Sequence, residues 1–255
     1  MSDLQLTLRQ VRYTNKAFWR NPASAFFTFA FPLMFLVIFT SIFGGTTDTP
    51  FGTIETSNYY IPAIATFSII TATYTNLAIS VTFLRDAGVL KRIRGTPLPG
   101  WAYMQGRIVH AVLMSFLLVA IVILFGIAFY HATFPTDRLL PIVVTIVVGA
   151  ASFSALGLAV TTIVPNADAA PAVVNATVLP LLFLSGVFIP LPPGNPWFVV
   201  LAKFFPIYHF AHAMLSSYFL PIGNGWEGSD ILIVAVWGLV GAVIAARRFR
   251  WEPNP

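Results

Sequence analysis

Charged residues are sparse and clustered along this chain, and the stretches between them are long and apolar. Uncharged runs lie between Arg20 and Asp48, Glu55 and Arg85, Arg107 and Asp137, Arg138 and Asp168, Asp168 and Lys203, Lys203 and Glu227, and Asp230 and Arg247. A bilayer core about 30 Å thick takes roughly 20 apolar residues of helix, so each run is a candidate span. The run from Phe204 to Trp226 is the exception. It carries Pro206, Pro221, Ser216, Ser217, Gly223 and Gly225 beside His209 and His212, and Pro190, Pro192, Pro193 and Pro196 crowd just upstream. Proline breaks helices, and irregular backbone at membrane depth has to be shielded by protein or water. The pattern predicts short broken helices over 190–228 that re-enter the bilayer without crossing it.

Six spans remain, near 23–44, 58–83, 105–130, 139–163, 171–189 and 229–247. The distribution of cations supports this parity, because basic residues collect on the cytoplasmic side. With the N-terminus inside, three basic groups face the cytoplasm: Arg9, Arg12, Lys16 and Arg20; then Arg85, Lys91, Arg92, Arg94 and Arg107; then Arg247, Arg248 and Arg250. Only Arg138 and Lys203 are left outside, and a seventh crossing would send the tail cluster out. Both termini are expected in the cytoplasm. The first apolar run is too long for a signal-peptide core, and Asn21-Pro22 at its entry reads as an N-cap followed by proline at the first helical position.

Composition agrees. Of 255 residues, 57% are hydrophobic and 9% charged, against about 25% charged in soluble domains. That excludes a soluble enzyme, a nucleic-acid binder and a disordered chain. The absence of cysteine removes disulfides, thiolate metal sites and thiol catalysis. The sequence contains no phosphate-binding loop, H-E-x-x-H, G-x-S-x-G or paired intramembrane carboxylates. His209 and His212 are too few for a metal site. No catalytic or metal-ligating residue is expected, and the histidines, His110 included, read as structural or interfacial.

Two segments outside the spans stand out. Over 4–20, Arg9, Arg12, Lys16 and Arg20 stack on one face, which predicts an interfacial helix that rests on anionic lipid or also docks against a cytoplasmic partner. Over 86–94, Asp86 is positioned to cap a short helix, Gly95 to end it, and Val89, Leu90 and Ile93 place apolar residues among cations. Such a helix suits either a resting place on headgroups or transmission of a partner's motion.

The spans are poor in ionisable groups, which argues against a gradient-driven carrier. Their polar content is hydroxyl and amide, richest in the second span. There Ser68, Thr71, Thr75 and Thr82 share a helical face, with Asn76 alongside. Helix packing and a polar lining to a path are both consistent with this. Gly149, Ala150, Ala151, Ser152, Ser154, Ala155 and Gly157 in the fourth span predict close helix approach. The aromatics of the outer segment, Trp197, Phe198, Phe204, Phe205, Tyr208, Phe210, Tyr218, Phe219 and Trp226, suit an interfacial belt or an outer gate.

Three local motifs resemble those of the ABC-2 type permeases, the membrane subunits of bacterial ABC exporters. Gly88-Val89-Leu90-Lys91-Arg92-Ile93-Arg94-Gly95-Thr96-Pro97-Leu98 resembles the family's cytoplasmic loop. Leu179 to Pro190, with Leu184-Ser185-Gly186 at its centre, is similar to the fifth-span motif, and Pro206-Ile207-Tyr208-His209 to a later element. The family's usual acidic residue before the loop glycine is displaced, since Ala87 precedes Gly88 and Asp86 lies one earlier.

The resemblance implies a single all-α domain over 1–255, paired with a second permease chain and two separate ATPase subunits. Those subunits would bind ATP and magnesium; no cofactor is expected in this chain. It implies that 86–94 is a coupling helix, with Asp86, Val89, Leu90, Arg92, Ile93 and Arg94 toward the ATPase, and that the loop Pro165–Asp168 is a second contact. It implies a path through spans one, two and five that includes Ser68, Thr71, Thr75, Asn76, Thr82, Phe183 and Ser185. Phe188, Trp197, Phe205 and Tyr208 would form an outer gate. The expected location is the bacterial inner membrane, and the expected substrate an apolar drug or lipid, with a polysaccharide or teichoic-acid-type polymer as the alternative. Nucleic acid is not expected as a partner.

Overall fold

The computed structural model describes residues 3–49, 52–132, 134–191, 197–218 and 225–252. Among them α1 (Asp3–Trp19) precedes α2 (Pro22–Ile42), and a two-stranded antiparallel hairpin, β1 (Thr46–Thr49) and β2 (Gly52–Glu55), leads to α3 (Thr56–Ile70). A π-helical turn at Thr71–Thr75 joins α3 to α4 (Asn76–Asp86), so the second span runs as one helix from Thr56 to Asp86. Then come α5 (Val89–Arg94), α6 (Gly100–Tyr130), α7 (Leu139–Val160), α8 (Ala170–Leu184), α9 (Trp197–Ala202), α10 (Pro206–Tyr218) and α11 (Gly228–Arg248).

The fold is that of an all-α membrane protein. Among the described residues, five helices are long and apolar enough to cross a bilayer: Pro22–Ile42, Thr56–Asp86, Gly100–Tyr130, Thr136–Val160 and Gly228–Arg248. The expected fifth span is shorter than predicted. α8 has 15 residues, about 22 Å of helix at 1.5 Å per residue. It stops at Leu184 because the chain turns at Gly186, whose φ of +79° lies in the left-handed region. The carbonyls beyond the break are taken over by the second span: Tyr59 donates its hydroxyl to Gly186 O, and Tyr60 donates to Phe188 O at 3.2 Å.

α3 lies at the centre, with every residue from Tyr59 to Ile70 buried. α2 exposes Phe26, Phe27 and other large apolar side chains on its outer face, as a helix meeting lipid or another chain must. Its entry is as expected: Asn21 Oδ1 accepts the Ser24 N–H at 3.2 Å, and Pro22 takes the first helical position. The small residues of α7 give the predicted close approach. Phe210 of α10 sits on Gly149, and a Cβ on Gly157 would stand 2.8 Å from the Tyr74 carbonyl oxygen in the π turn. Gly149 lies ten residues beyond Leu139, or about 15 Å down the helix. α10 therefore dips well into the bundle, as a re-entrant helix does. Parts of the 190–228 segment (192–196 and 219–224) lie outside the described residues.

α1, α5, the α7–α8 loop and the C-terminal tail gather at one end of the bundle. Gln10 packs on Gly106 near the start of α6, Trp251 on Gly100, and Lys91 lies 4.0 Å from Glu252. This is the basic end. The hairpin, the start of α7 and α10 lie at the other.

Candidate functional site

Gly88, with φ of +68°, supplies the left-handed residue that turns the chain from α4 into α5. α5 presents Lys91, Arg92 and Arg94 to the exterior, with Val89 and Ile93 half-buried. Leu90 is fully buried in a small core with Leu77, Val81, Tyr103, Leu158 and Ala245. Its contribution is to anchor the helix, not to meet another chain.

Asp86 corrects the expectation of an N-cap. It is the last residue of α4, and its carboxylate accepts the Ala167 N–H. The reason lies next to it. Arg85 is 2% exposed and donates to Thr161 O at 2.8 Å and Val164 O at 2.7 Å, carbonyls at the open C-terminal end of α7. Asp86 balances that guanidinium at 3.6 Å. The two expected cytoplasmic contacts, 86–94 and Pro165–Asp168, are thus one joined body.

The second-span hydroxyls divide into two groups. Ser68 donates to Ile64 O at 2.7 Å and Thr82 to Ala78 O at 2.9 Å, and both are buried within the chain's own bundle. Both hydroxyls satisfy backbone carbonyls one turn back in their own helix. Thr71 and Thr75 are half-buried in the π turn, and Asn76 is exposed. Phe183 is 52% exposed, whereas Ser185 is buried and donates to Leu181 O at 2.5 Å.

At the opposite end, Phe188 is buried in an aromatic stack with Phe35, Phe39 and Phe183. Trp197 is 77% exposed, Phe205 stacks on Trp237, and Tyr208 lies parallel to His212 with centroids 6.2 Å apart. No ring contact joins the four expected gate residues among the described residues: Phe188 packs on the α2–α3 side and Phe205 on α11. Tyr208 and His212 line a pocket of about 110 Å³ together with Tyr59 and Ser185.

α10 and α11 are joined by a polar cluster. His209 donates to Asp230 Oδ1 at 2.6 Å and to Lys203 O at 2.7 Å. Both partners are acceptors, so with Asp230 ionised the ring carries two protons and a positive charge. His212 donates to Asp230 Oδ2 at 2.5 Å, and Ser216 to Glu227 at 3.0 Å. The Asp230 hydrogen bond raises the His209 pKa above its ordinary value, against the opposing effect of burial. His212, Glu227 and Asp230 bring ligand atoms within 4.8 Å of one another, a spacing that suits a divalent cation. Both Asp230 oxygens are already engaged by histidines.

Sequence reasoning missed this cluster because Asp230 read only as the edge of a span. The spacing of His209, His212 and Ser216 along one face of α10 was the available signal. It also missed Arg138, one of the two expected external cations, which is buried and donates to Ser216 O at 2.8 Å.

No curated protein matches the chain. The family model for the ABC-2 type transporter matches residues 6–219, which covers α1, the second span, α5 and the re-entrant α10. The chain belongs to the ABC-2 type transporter family, as the membrane component of an ABC-type transporter and not its nucleotide-binding subunit.

Proposed function

We propose that the chain is the transmembrane subunit of an ATP-driven bacterial exporter. Two permease copies, joined to two ATPase subunits that bind ATP and magnesium, form a path for an apolar drug or lipid-like substrate, with both termini in the cytoplasm. The carrying observation is the construction of α5. Leu90 is buried, Arg85 and Asp86 bind the α7–α8 loop, and Lys91, Arg92 and Arg94 face outward, Lys91 beside Glu252 of the tail and Arg92 also donating to the Ala87 carbonyl. A load applied to those cations reaches the spans without slack. Thr71, Thr75 and Asn76, with Phe183, supply the partly open surface for a path between copies; Ser68, Thr82 and Ser185 support it from within. Membrane lipid is the partner of α1.

Export of a cell-surface polymer by the same architecture is the second reading, favoured by the tyrosine and hydroxyl lining of the outer pocket. The coupling assignment is tested with Arg92→Glu/Arg94→Glu, co-expressed with the cognate ATPase subunit. Recovery of the ATPase with the permease should fall roughly tenfold, the equivalent of one strong charged contact. Full recovery with undiminished ATP-dependent export would overturn it.

A further inference from the structure

Between α1, α2, the second span and α6 lies a cavity of about 510 Å³ at the basic end. Ser80, Asn76, Arg107 and His110 form polar parts of its wall, and Leu77 and Met114 apolar ones. No carboxylate lines it. Arg107 donates to Ser80 Oγ at 2.5 Å and Tyr103 OH at 3.3 Å, and its guanidinium carbon stands 5.9 Å from the Tyr103 ring centroid. Among the described residues it has no ion pair, and its Nε is buried without a hydrogen bond. His110 is 8% exposed, and its Nε2 is likewise buried without a partner.

Arg107 is half-buried, with only its Nε fully withdrawn from solvent, and it contrasts with the two fully buried guanidiniums. Arg85 has two carbonyls and Asp86, and Arg138 has the Ser216 carbonyl. A charge withdrawn from water without an anion beside it is unfavourable. The Ser80 hydroxyl donates to Leu77 O at 3.2 Å while accepting from Arg107, so an oxyanion entering the cavity would pair with Arg107 and meet the Asn76 amide. Arg107 lies seven residues into α6, about 11 Å from its start, at the basic end of the bundle. α1 closes one wall through Thr14, Ala17 and Phe18, and its cations Arg9, Arg12 and Lys16 are exposed on its other face, a basic surface that draws anionic lipid to this end of the bundle.

We infer that this cavity binds a phosphate headgroup borne by an amphiphile from the adjacent leaflet. Arg107 pairs with the phosphate, the Asn76 amide donates to one of its oxygens, Ser80 steadies the Arg107 fork, and the first acyl carbons lie along Leu77 and Met114. This goes beyond the exporter reading and stands whether or not the bound molecule is transported.

Native mass spectrometry of the full chain tests it. The delipidated protein is offered phosphatidylglycerol and diacylglycerol with matched chains, with and without millimolar inorganic phosphate. One phosphatidylglycerol per chain should be retained in roughly tenfold preference, an effect expected of one charge-assisted contact, and inorganic phosphate should not displace it. Arg107→Gln should abolish the preference, whereas Arg248→Gln, which removes an exposed cation, should keep it. Asn76→Trp fills the chamber with Arg107 in place and should also expel the lipid, so the result does not hang on one variant's folding. A preference that survives both Arg107→Gln and Asn76→Trp overturns the site. Displacement by inorganic phosphate, with Asn76→Trp still retaining lipid, overturns the amphiphile and leaves a free-anion pocket. Neither readout involves ATP, so a failure here is distinguishable from a failure of the coupling assignment.

Discussion

Arg85 stands at the C-terminal end of the second span, with the orphan carbonyls of α7 in reach of both arms of its fork. Replacing it with Met strips two buried carbonyls of their donor and leaves Asp86 without its cation. The expected loss is about 3 kcal/mol, visible in thermal unfolding of the detergent-solubilised chain. Arg85→Lys should recover only part of it, since one ammonium cannot reproduce the planar fork. His209 gives a pH-dependent counterpart, with His212, Asp230, Glu227, Lys203 and Tyr208 around it. Its pKa is raised in the fold, so the stabilisation is complete below the unfolded value of about 6.5 and is lost as pH rises through the higher folded one. Hydrogen exchange of α10 amides, corrected for intrinsic rates, should therefore accelerate as pH rises through that window. His209→Gln should abolish the dependence; an unchanged profile would refute the imidazolium assignment.

At the scale of elements, the apolar runs foretold most helices to within a few residues, because a run free of charge has one stable place to be. The misses have local causes. α8 ended early at Gly186, whose left-handed turn is stabilised by tyrosines more than a hundred residues away in sequence. Asp86 looked like a cap because the residues beside it are the only neighbours a sequence displays; its true partner, Ala167, is brought in by the fold. The hairpin between α2 and α3 was overlooked in a chain otherwise helical, although threonines at 46, 47, 49 and 53 favour extended backbone. The candidate site was legible as a segment but not as an arrangement: α5 was placed, whereas the inward role of Leu90 was not. Packing of α7 against α11 is open to test. A Cβ on Gly241 would stand 2.9 Å from the Leu156 backbone nitrogen, so Gly241→Val should destabilise the chain by about 1–3 kcal/mol. Gly228→Ala, with open space around it, should stay within about 0.5 kcal/mol in the same unfolding assay.

For the whole molecule, the decisive geometric fact is that α1 and the C-terminal tail share one end of the bundle with α5. The absence of native cysteine gives a clean background for mapping that end against the membrane. In intact cells a membrane-impermeant maleimide should label Trp197→Cys and spare Asp3→Cys and Glu252→Cys, which should react only after the membrane is opened. Labelling of either terminal position from outside would reverse the proposed orientation.

The second span meets the α7–α8–α9 segment at three levels. Arg85 and Asp86 hold the loop before α8, Tyr74 shares a 2.7 Å hydrogen bond with Thr177 midway, and Tyr59 and Tyr60 hold the backbone just past its end. Two rails joined by three rungs cannot slide past each other unless every rung breaks at once. If α5 couples to an ATPase as proposed, a push delivered through it is converted into tilting of the pair as a unit, and the π turn at Thr71–Thr75, beside the middle rung, tilts with it.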